Sequence, residues 1–450
     1  MSPWIERSAG LLLHISSLPG GRADAEALRF ADFMVAAGFR VWQILPVGPV
    51  DVHGSPYHLD SGFAGDPRLV ADQPEPDAPA YSRYLEQNAD WLDDYALFSV
   101  LSQVHAGLAW NRWPAALRHR EPAALAAALQ QYRPELDQVR RQQCRFELGW
   151  AGFRHQLQAR GLLLFGDVPL FLAHHSADVW AHQQLFEVDA EGECEAFLGV
   201  PPDGFAADGQ WWGYPAYRWP AMAAENYRWW RRRFEVQAQR FDLVRLDHFR
   251  GFAAYWRIPR GARTAAAGAW VSGPGRAAIE ALQPVLGSTR LVAEDLGHIT
   301  EDVVALRQSL GIPGMRVLQF GFDGDPHNPH LPAQHAADTV CYTGTHDNDT
   351  TLGWWSGLEP AVQQQIRQTL GDDSPMPGCL LAQAWASPAP LAIAPLQDLL
   401  GLGSAARMNR PGVEAGNWNW RFQWADLPAD LAARTRAALE RQGRAWPPPA

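Results

Sequence analysis

Residues 241–251 read F-D-L-V-R-L-D-H-F-R-G, and this stretch constrains the fold more than any other. Leu243, Val244 and Leu246 form a short apolar run of the length of a buried parallel strand. Arg245 interrupts the run and Asp247 ends it. Burying two ions costs several kcal/mol each unless they are paired. At i and i+2 both side chains project to the same face of a strand, so they can meet. A pair at the C-terminal end of a strand is where an α/β barrel keeps its chemistry, although a structural ion pair capping the strand gives the same pattern. The pattern recurs twice downstream, which tips the balance toward chemistry.

With 450 residues the chain can bury a large core, enough for one α/β barrel with insertions or for two to three domains. A formal net charge of -11 argues against nucleic acid or an anionic membrane surface as partner. The densest basic run, residues 231–233, lies within a helical pattern. No apolar run approaches the roughly 20 residues of a membrane-spanning helix. The first ten residues carry Glu6 and Arg7 and lack a signal peptide's apolar core. Cys144, Cys194, Cys341 and Cys379 are far apart, without a C-x-x-C, which predicts free thiols in a reducing cytoplasm. Tryptophan is the unusual component, 21 of 450 residues. Trp211, Trp212, Trp219, Trp418 and Trp420 cluster with Gly, Pro and Asn, which predicts aromatic faces on loops, a surface suited to sugars.

In chain order, residues 10–13 predict a first strand and a helix follows to about Ala37, with Gly38 as its stop. Residues 41–47 predict the second strand, giving a parallel strand–helix–strand unit. Residues 51–160 are expected to form an insertion, helical from about Tyr84, and residues 161–172 the third strand with Asp167 toward its C-terminal side. Ser176 suits an N-cap. Residues 187–222 are too polar and irregular for core and predict a long functional loop. A helix over 226–240 leads into the fourth strand. Residues 290–294, 315–320, 339–343 and 391–395 supply four more. Eight strands alternating with helices predict an α/β fold, a single closed (β/α)8 barrel with helical and loop insertions.

Three carboxylates then stand at strand ends: Asp247, Glu294 and Asp347. Such a set suits glycosidic chemistry, in which one carboxylate attacks the anomeric carbon and a protonated one serves the leaving oxygen, about 5–5.5 Å away in the retaining geometry. Arg245 favours the charged form of Asp247, which suits a nucleophile. The apolar approach Leu291-Val292-Ala293 favours a protonated Glu294, which suits an acid/base.

The chain resembles the 4-α-glucanotransferases of glycoside hydrolase family 77, the amylomaltases or disproportionating enzymes, which are relatives of the α-amylases. The resemblance covers nearly the whole chain. R-L-D-H-F-R-G at 245–251 is similar to the family's nucleophile region, A-E-D-L-G at 293–297 to its acid/base region and T-H-D-N-D-T at 345–350 to that of its third acid. G-D-V-P-L-F from Gly166 and S-A-D-V-W from Ser176 resemble its third strand and following helix. G-V-P-P-D-G-F at 199–205 with G-Q-W-W-G at 209–213 resembles the flexible lid over its donor site. R-M-N-R-P-G at 407–412 and G-N-W-N-W-R at 416–421 resemble its C-terminal signature.

The resemblance implies Asp247 as nucleophile, Glu294 as general acid/base and Asp347 as transition-state stabiliser. It implies that Arg245, His248 and His346 contact the sugar at the cleavage point and that Tyr57, in the motif with Ser55, stacks on it. Asp203, Gln210, Trp212 and Asn409 would line neighbouring subsites. The reaction implied is retaining transglycosylation between α-1,4-glucans and maltooligosaccharides as donor and glucose or maltooligosaccharides as acceptor. No metal and no organic cofactor is implied. The extra N-terminal module of some bacterial members is not expected.

Two positions depart from the family pattern: Tyr214, where Asn is usual, and Val413, where Thr or Ser is usual. Both bear on chain-length preference. His174-His175 fits a turn before Ser176 better than a metal site. Asp347-Asn348-Asp349 lacks the Gly and Glu of a calcium loop. Gly273-Pro274-Gly275 fits a plain helix start, Trp418 and Trp420 fit packing of the C-terminus, and Asp295 fits local pairing. The nearest rival function is an α-glucan hydrolase, and a rival of another class is a glucan-binding protein without activity.

Overall fold

A computed structural model describes residues 4–50, 54–202, 208–413 and 415–447. Eight parallel strands form its centre: β1 (Ser8–Leu12), β2 (Val41–Gln43), β3 (Leu163–Val168), β4 (Leu243–Leu246), β5 (Arg290–Ala293), β6 (Gly314–Val317), β7 (Thr339–Tyr342) and β8 (Leu391–Pro395). They pair in the order β6-β7-β8-β1-β2-β3-β4-β5. The seam between β5 and β6 is closed by the Ala293 N–H donating to the Pro313 carbonyl, 2.8 Å, and by the Met315 N–H donating to the Asp295 carboxylate, 2.6 Å. The result is the expected (β/α)8 barrel. β2 is shorter than the predicted 41–47: the Leu45 N–H donates to His14 Nδ1 at 3.2 Å, and Pro46 has no N–H to give to a ladder.

Alternation along the strands sorts the side chains. Val41, Phe165, Leu243, Val292, Met315, Val317, Val340, Tyr342, Leu391 and Ile393 fill the interior. Trp42, Leu164, Val244, Leu291 and Ala392 pack outward against the helices. With a period of two, the interior set continues to Asp167 above Phe165, to Arg245 and Asp247 above Leu243, and to Glu294 above Val292.

Helix α1 (Ala25–Ala37) is capped by Asp24, whose carboxylate accepts from the Glu26 and Ala27 N–H groups. It stops at Gly38 in the left-handed region, φ 86°, where any larger residue is strained. Between β2 and β3 lie α2 (Ala78–Gln87), α3 (Leu92–Val104), α4 (Pro122–Gln131) and the 27-residue α5 (Arg133–Ala159). The buried stripe of α5, including Phe146, Trp150, Phe153 and Leu157, faces the barrel. Its Gln143 amide exchanges hydrogen bonds with the Gly65 main chain, 2.9 and 2.8 Å.

Of the five tryptophans expected on loops, Trp219 instead opens the helix Trp219–Ala224 and is buried. Trp42, Trp110, Trp113, Trp150, Trp180 and Trp230 are among the largest fully buried side chains, so much of the indole builds the core rather than a sugar-facing surface. The connection over 187–222 is also more regular than its composition suggests. Ala196–Val200 and Gln210–Pro215 join Ala254–Pro259 and Ala269–Ser272, from the connection after β4, in an antiparallel sheet beside the barrel mouth. Gly, Trp and Pro mask the strand period there, and the sheet forms only when strands from the two connections meet.

Candidate active site

Arg245 sits at the centre of the mouth, buried. Asp167 on β3 is its register partner across the sheet. Arg245 Nη1 donates to Asp167 Oδ2 at 2.8 Å and Oδ1 at 3.1 Å, and it lies 2.8 Å from Asp247 Oδ1. One guanidinium therefore serves two carboxylates. Burial pushes the Asp167 carboxyl up to about 7 against the pull of Arg245, while the two carboxylates hold Arg245 firmly protonated. The Tyr57 hydroxyl donates to Asp167 Oδ2 at 2.7 Å. Burial and the Asp167 charge keep that phenol well above its ordinary range, so it stays a donor.

Glu294 follows β5 directly. Its Oε2 accepts from the His248 N–H at 2.7 Å and its Oε1 from the Leu296 N–H at 2.8 Å. His248 reaches this geometry in the left-handed region, φ 48°, rare for a residue with a side chain and typical of functional sites. Burial pushes the Glu294 carboxyl up to about 7; Arg245 pulls it down and the Asp247 charge pushes it up again. A carboxyl in this range holds a proton near neutral pH and can also give it up.

Asp347 stands in the turn after β7. Thr345 folds that turn by donating its N–H and its hydroxyl to Asn348 Oδ1, both 2.9 Å. Asn409 Nδ2 donates to Asp347 Oδ1 at 2.6 Å, and His346 Nε2 lies 3.3 Å from Oδ2. Arg407 clamps both partners, donating to the carbonyls of Asp347 and Asn409 at 2.6 Å each. R-M-N thus acts as a bracket on the turn that carries Asp347.

The aromatic residues join the two halves. The Tyr57 ring stacks on His346, 5.2 Å between centroids and 16° between planes. Trp418 lies 6.0 Å from both rings, so it stands at the mouth rather than only packing the C-terminus. Burial pushes His346 down, and it holds His248 at about 3, leaving that imidazole neutral with its Nε2 buried and unpartnered among the described residues. Trp212 meets His248 edge-on at 4.9 Å and donates to Gln210 Oε1 at 3.2 Å. The Ser55 hydroxyl accepts from the Tyr57 N–H at 3.3 Å. Asp203 lies outside the described residues.

Asp167, Arg407 and Trp418 belong to the site although no site role was expected of them. A lone carboxylate after a strand looks like a cap until the register that sets it against Arg245 is known. Tyr214, one of the two departures from the family pattern, donates its hydroxyl to the Tyr57 carbonyl at 3.2 Å. The two candidate metal histidines are engaged elsewhere: His174 Nε2 pairs with the Gly192 carbonyl at 2.7 Å, and His175 Nδ1 accepts from the Trp110 N–H at 3.1 Å. Among the described residues no group of three or more His, Cys, Asp or Glu is placed to hold a metal.

A carboxylate ion-paired with a buried arginine, together with a carboxyl that holds its proton, can do nucleophilic and general acid work on an acetal. Comparison with known proteins points the same way. A family model described as 4-alpha-glucanotransferase, glycoside hydrolase family 77, matches residues 13–75 and 71–427. The 4-alpha-glucanotransferase of Thermus thermophilus is 41% identical, over 97% of this chain and 99% of that one. That of Synechocystis is 39% identical over 98% of each. The amylomaltase of Streptococcus agalactiae, solved in complex with acarbose, superposes with a TM-score of 0.93 at 28% identity, over 98% of this chain and 100% of that one. Matched over nearly its whole length at this level of identity, the chain belongs to the 4-alpha-glucanotransferase family, whose members pass glucan segments from one sugar chain to another.

Proposed function

We propose that the chain moves α-1,4-glucan segments between maltooligosaccharides by double displacement at the barrel mouth. Asp247 attacks the anomeric carbon while Glu294 protonates the glycosidic oxygen, so the reducing-end fragment leaves and a glycosyl–Asp247 ester forms. Glu294, now a carboxylate, takes the proton from the 4-hydroxyl of an acceptor, glucose or a maltooligosaccharide, which attacks the same carbon and frees Asp247. Asp347, held by Asn409 and His346, binds hydroxyls of the distorted ring. Arg245 holds the Asp247 carboxylate in an ion pair, and His248 offers its free Nε2 to the sugar. Tyr57 and Trp212 flank the bound sugar, Ser55 and Gln210 orient those rings, and Asp203 serves a neighbouring subsite.

The observation that carries this reading is the contrast between Asp247, 2.8 Å from a buried guanidinium, and Glu294, raised to about 7 by burial. A carboxylate ion-paired with a buried guanidinium, set against a second carboxyl raised toward neutrality, suits a nucleophile and a general acid. A single barrel carries the activity, with the insertions at 51–160 and 187–222 shaping its mouth. The four buried, unpaired cysteines support a cytoplasmic location. No helix among the described residues is long and apolar enough to cross a membrane.

The test is incubation of the purified chain with maltotriose and chromatography of the products. Glucose with maltopentaose and longer chains is expected. Glucose and maltose alone would mean hydrolysis, and no turnover would point to a binding protein. Asp247→Asn should lower the rate by roughly four orders of magnitude.

A further inference from the structure

Trp270 is one of the few large apolar side chains that remain substantially exposed, at 36%. It lies on the outer strand Ala269–Ser272 of the antiparallel sheet. Its ring is held rather than loose. The Arg250 guanidinium covers one face, 3.8 Å from the ring centroid, and Trp256 meets it edge-on at 5.2 Å and 70°. The exposed imidazole of His298 lies 6.4 Å away, within 26° of parallel, which extends the aromatic surface. Arg250 is itself buried and fixed by donating to the His298 carbonyl.

The anchors say where this surface lies. Arg250 is three residues after Asp247, and His298 is four residues after Glu294. The platform therefore hangs from the two loops that leave the nucleophile and the acid/base. A general acid protonates the glycosidic oxygen on the reducing-end side of the cleaved bond, and the acceptor enters where that fragment leaves. The loop from Glu294 to His298 thus marks the acceptor side of the mouth.

We propose that Trp270, with His298 beside it, is a distal acceptor subsite for α-1,4-glucan, an inference that rests on the transfer reaction proposed above. A glucosyl ring presents C–H groups on its face and hydroxyls at its rim. The exposed part of the Trp270 ring takes the former, and the His298 ring nitrogens take the latter. Glucose as acceptor occupies only the position next to the cleavage point and does not reach the platform; longer acceptors do.

The experiment compares glucose and maltohexaose as acceptors with one donor, in the native chain, Trp270→Ala and Trp270→Phe. The ratio of kcat/KM for maltohexaose to that for glucose should fall about three- to tenfold in Trp270→Ala, the size of one aromatic contact. Trp270→Phe should keep most of the ratio. An unchanged ratio in an active Trp270→Ala overturns the subsite. An equal loss with both acceptors also overturns it, because it would make Trp270 only a cover for Arg250. If Trp270→Ala does not fold, the same ratio is measured in His298→Ala, where the ring is exposed, and an unchanged value there overturns the subsite equally. A native chain that transfers to neither acceptor refutes the reaction itself, which is a separate result.

Discussion

Burial raises the Glu294 carboxyl, and this sets the expected pH behaviour. In the proposed first displacement Glu294 acts protonated, so kcat/KM should fall as pH rises through about 7, the value to which burial raises it. A pH–rate profile with maltotriose checks this. The same shift governs stability. A carboxyl raised in the folded state contributes fully below its ordinary value of 4.5, and the contribution is lost as pH rises through about 7. Glu294→Gln removes that buried charge. Its denaturation midpoint should therefore exceed the native one at pH 8, with the gap closing toward pH 4.5. The positions of Asp247 and Glu294 were legible from sequence because an apolar run that ends in an acid carries its own signal, and Asp347 because it follows such a run in a polar turn. Asp167 was not, since its role comes from facing Arg245 across β3 and β4, and register between distant segments is not written in either of them.

The antiparallel sheet is the element that sequence patterning conveyed least. Its four strands come from two connections, and none has an uninterrupted alternation. Its consequence is local: alternation along Gln210–Pro215 turns Trp212 toward His248 and Tyr214 toward the Tyr57 loop, while Trp211 turns away to Phe197. The Tyr214 hydroxyl ties that strand to the Tyr57 carbonyl, and Tyr57 holds Asp167. Tyr214→Phe keeps the ring and removes the tie. Losing a bond worth about 1 kcal/mol should raise KM for maltotriose roughly fivefold and change kcat much less. Steady-state kinetics on the variant decides it, and a kcat that falls with KM unchanged would contradict this positioning role.

Across the whole molecule the barrel was legible because eight short buried runs alternate with helices, and that order admits few folds. Where the barrel closes was not, because the β5–β6 seam rests on one main-chain bond and one carboxylate. Asp295 is buried, and besides the Met315 N–H its Oδ2 lies 3.2 Å from Arg316 and 3.3 Å from Arg307. Gly314 makes room for it: a Cβ at that position would lie 2.3 Å from Asp295 Oδ2. Gly314→Ala should cost about 1–3 kcal/mol, read from denaturant unfolding, as overpacking at a site with no slack.

Adjacent residues of β5's outgoing loop thus answer to different demands. Glu294 serves the proposed reaction and Asp295 the wall, on opposite faces of the same few ångströms of backbone. Anyone grafting a new loop here to alter product length would have to begin the graft after residue 295, because an exchange that includes it opens the barrel along with the specificity.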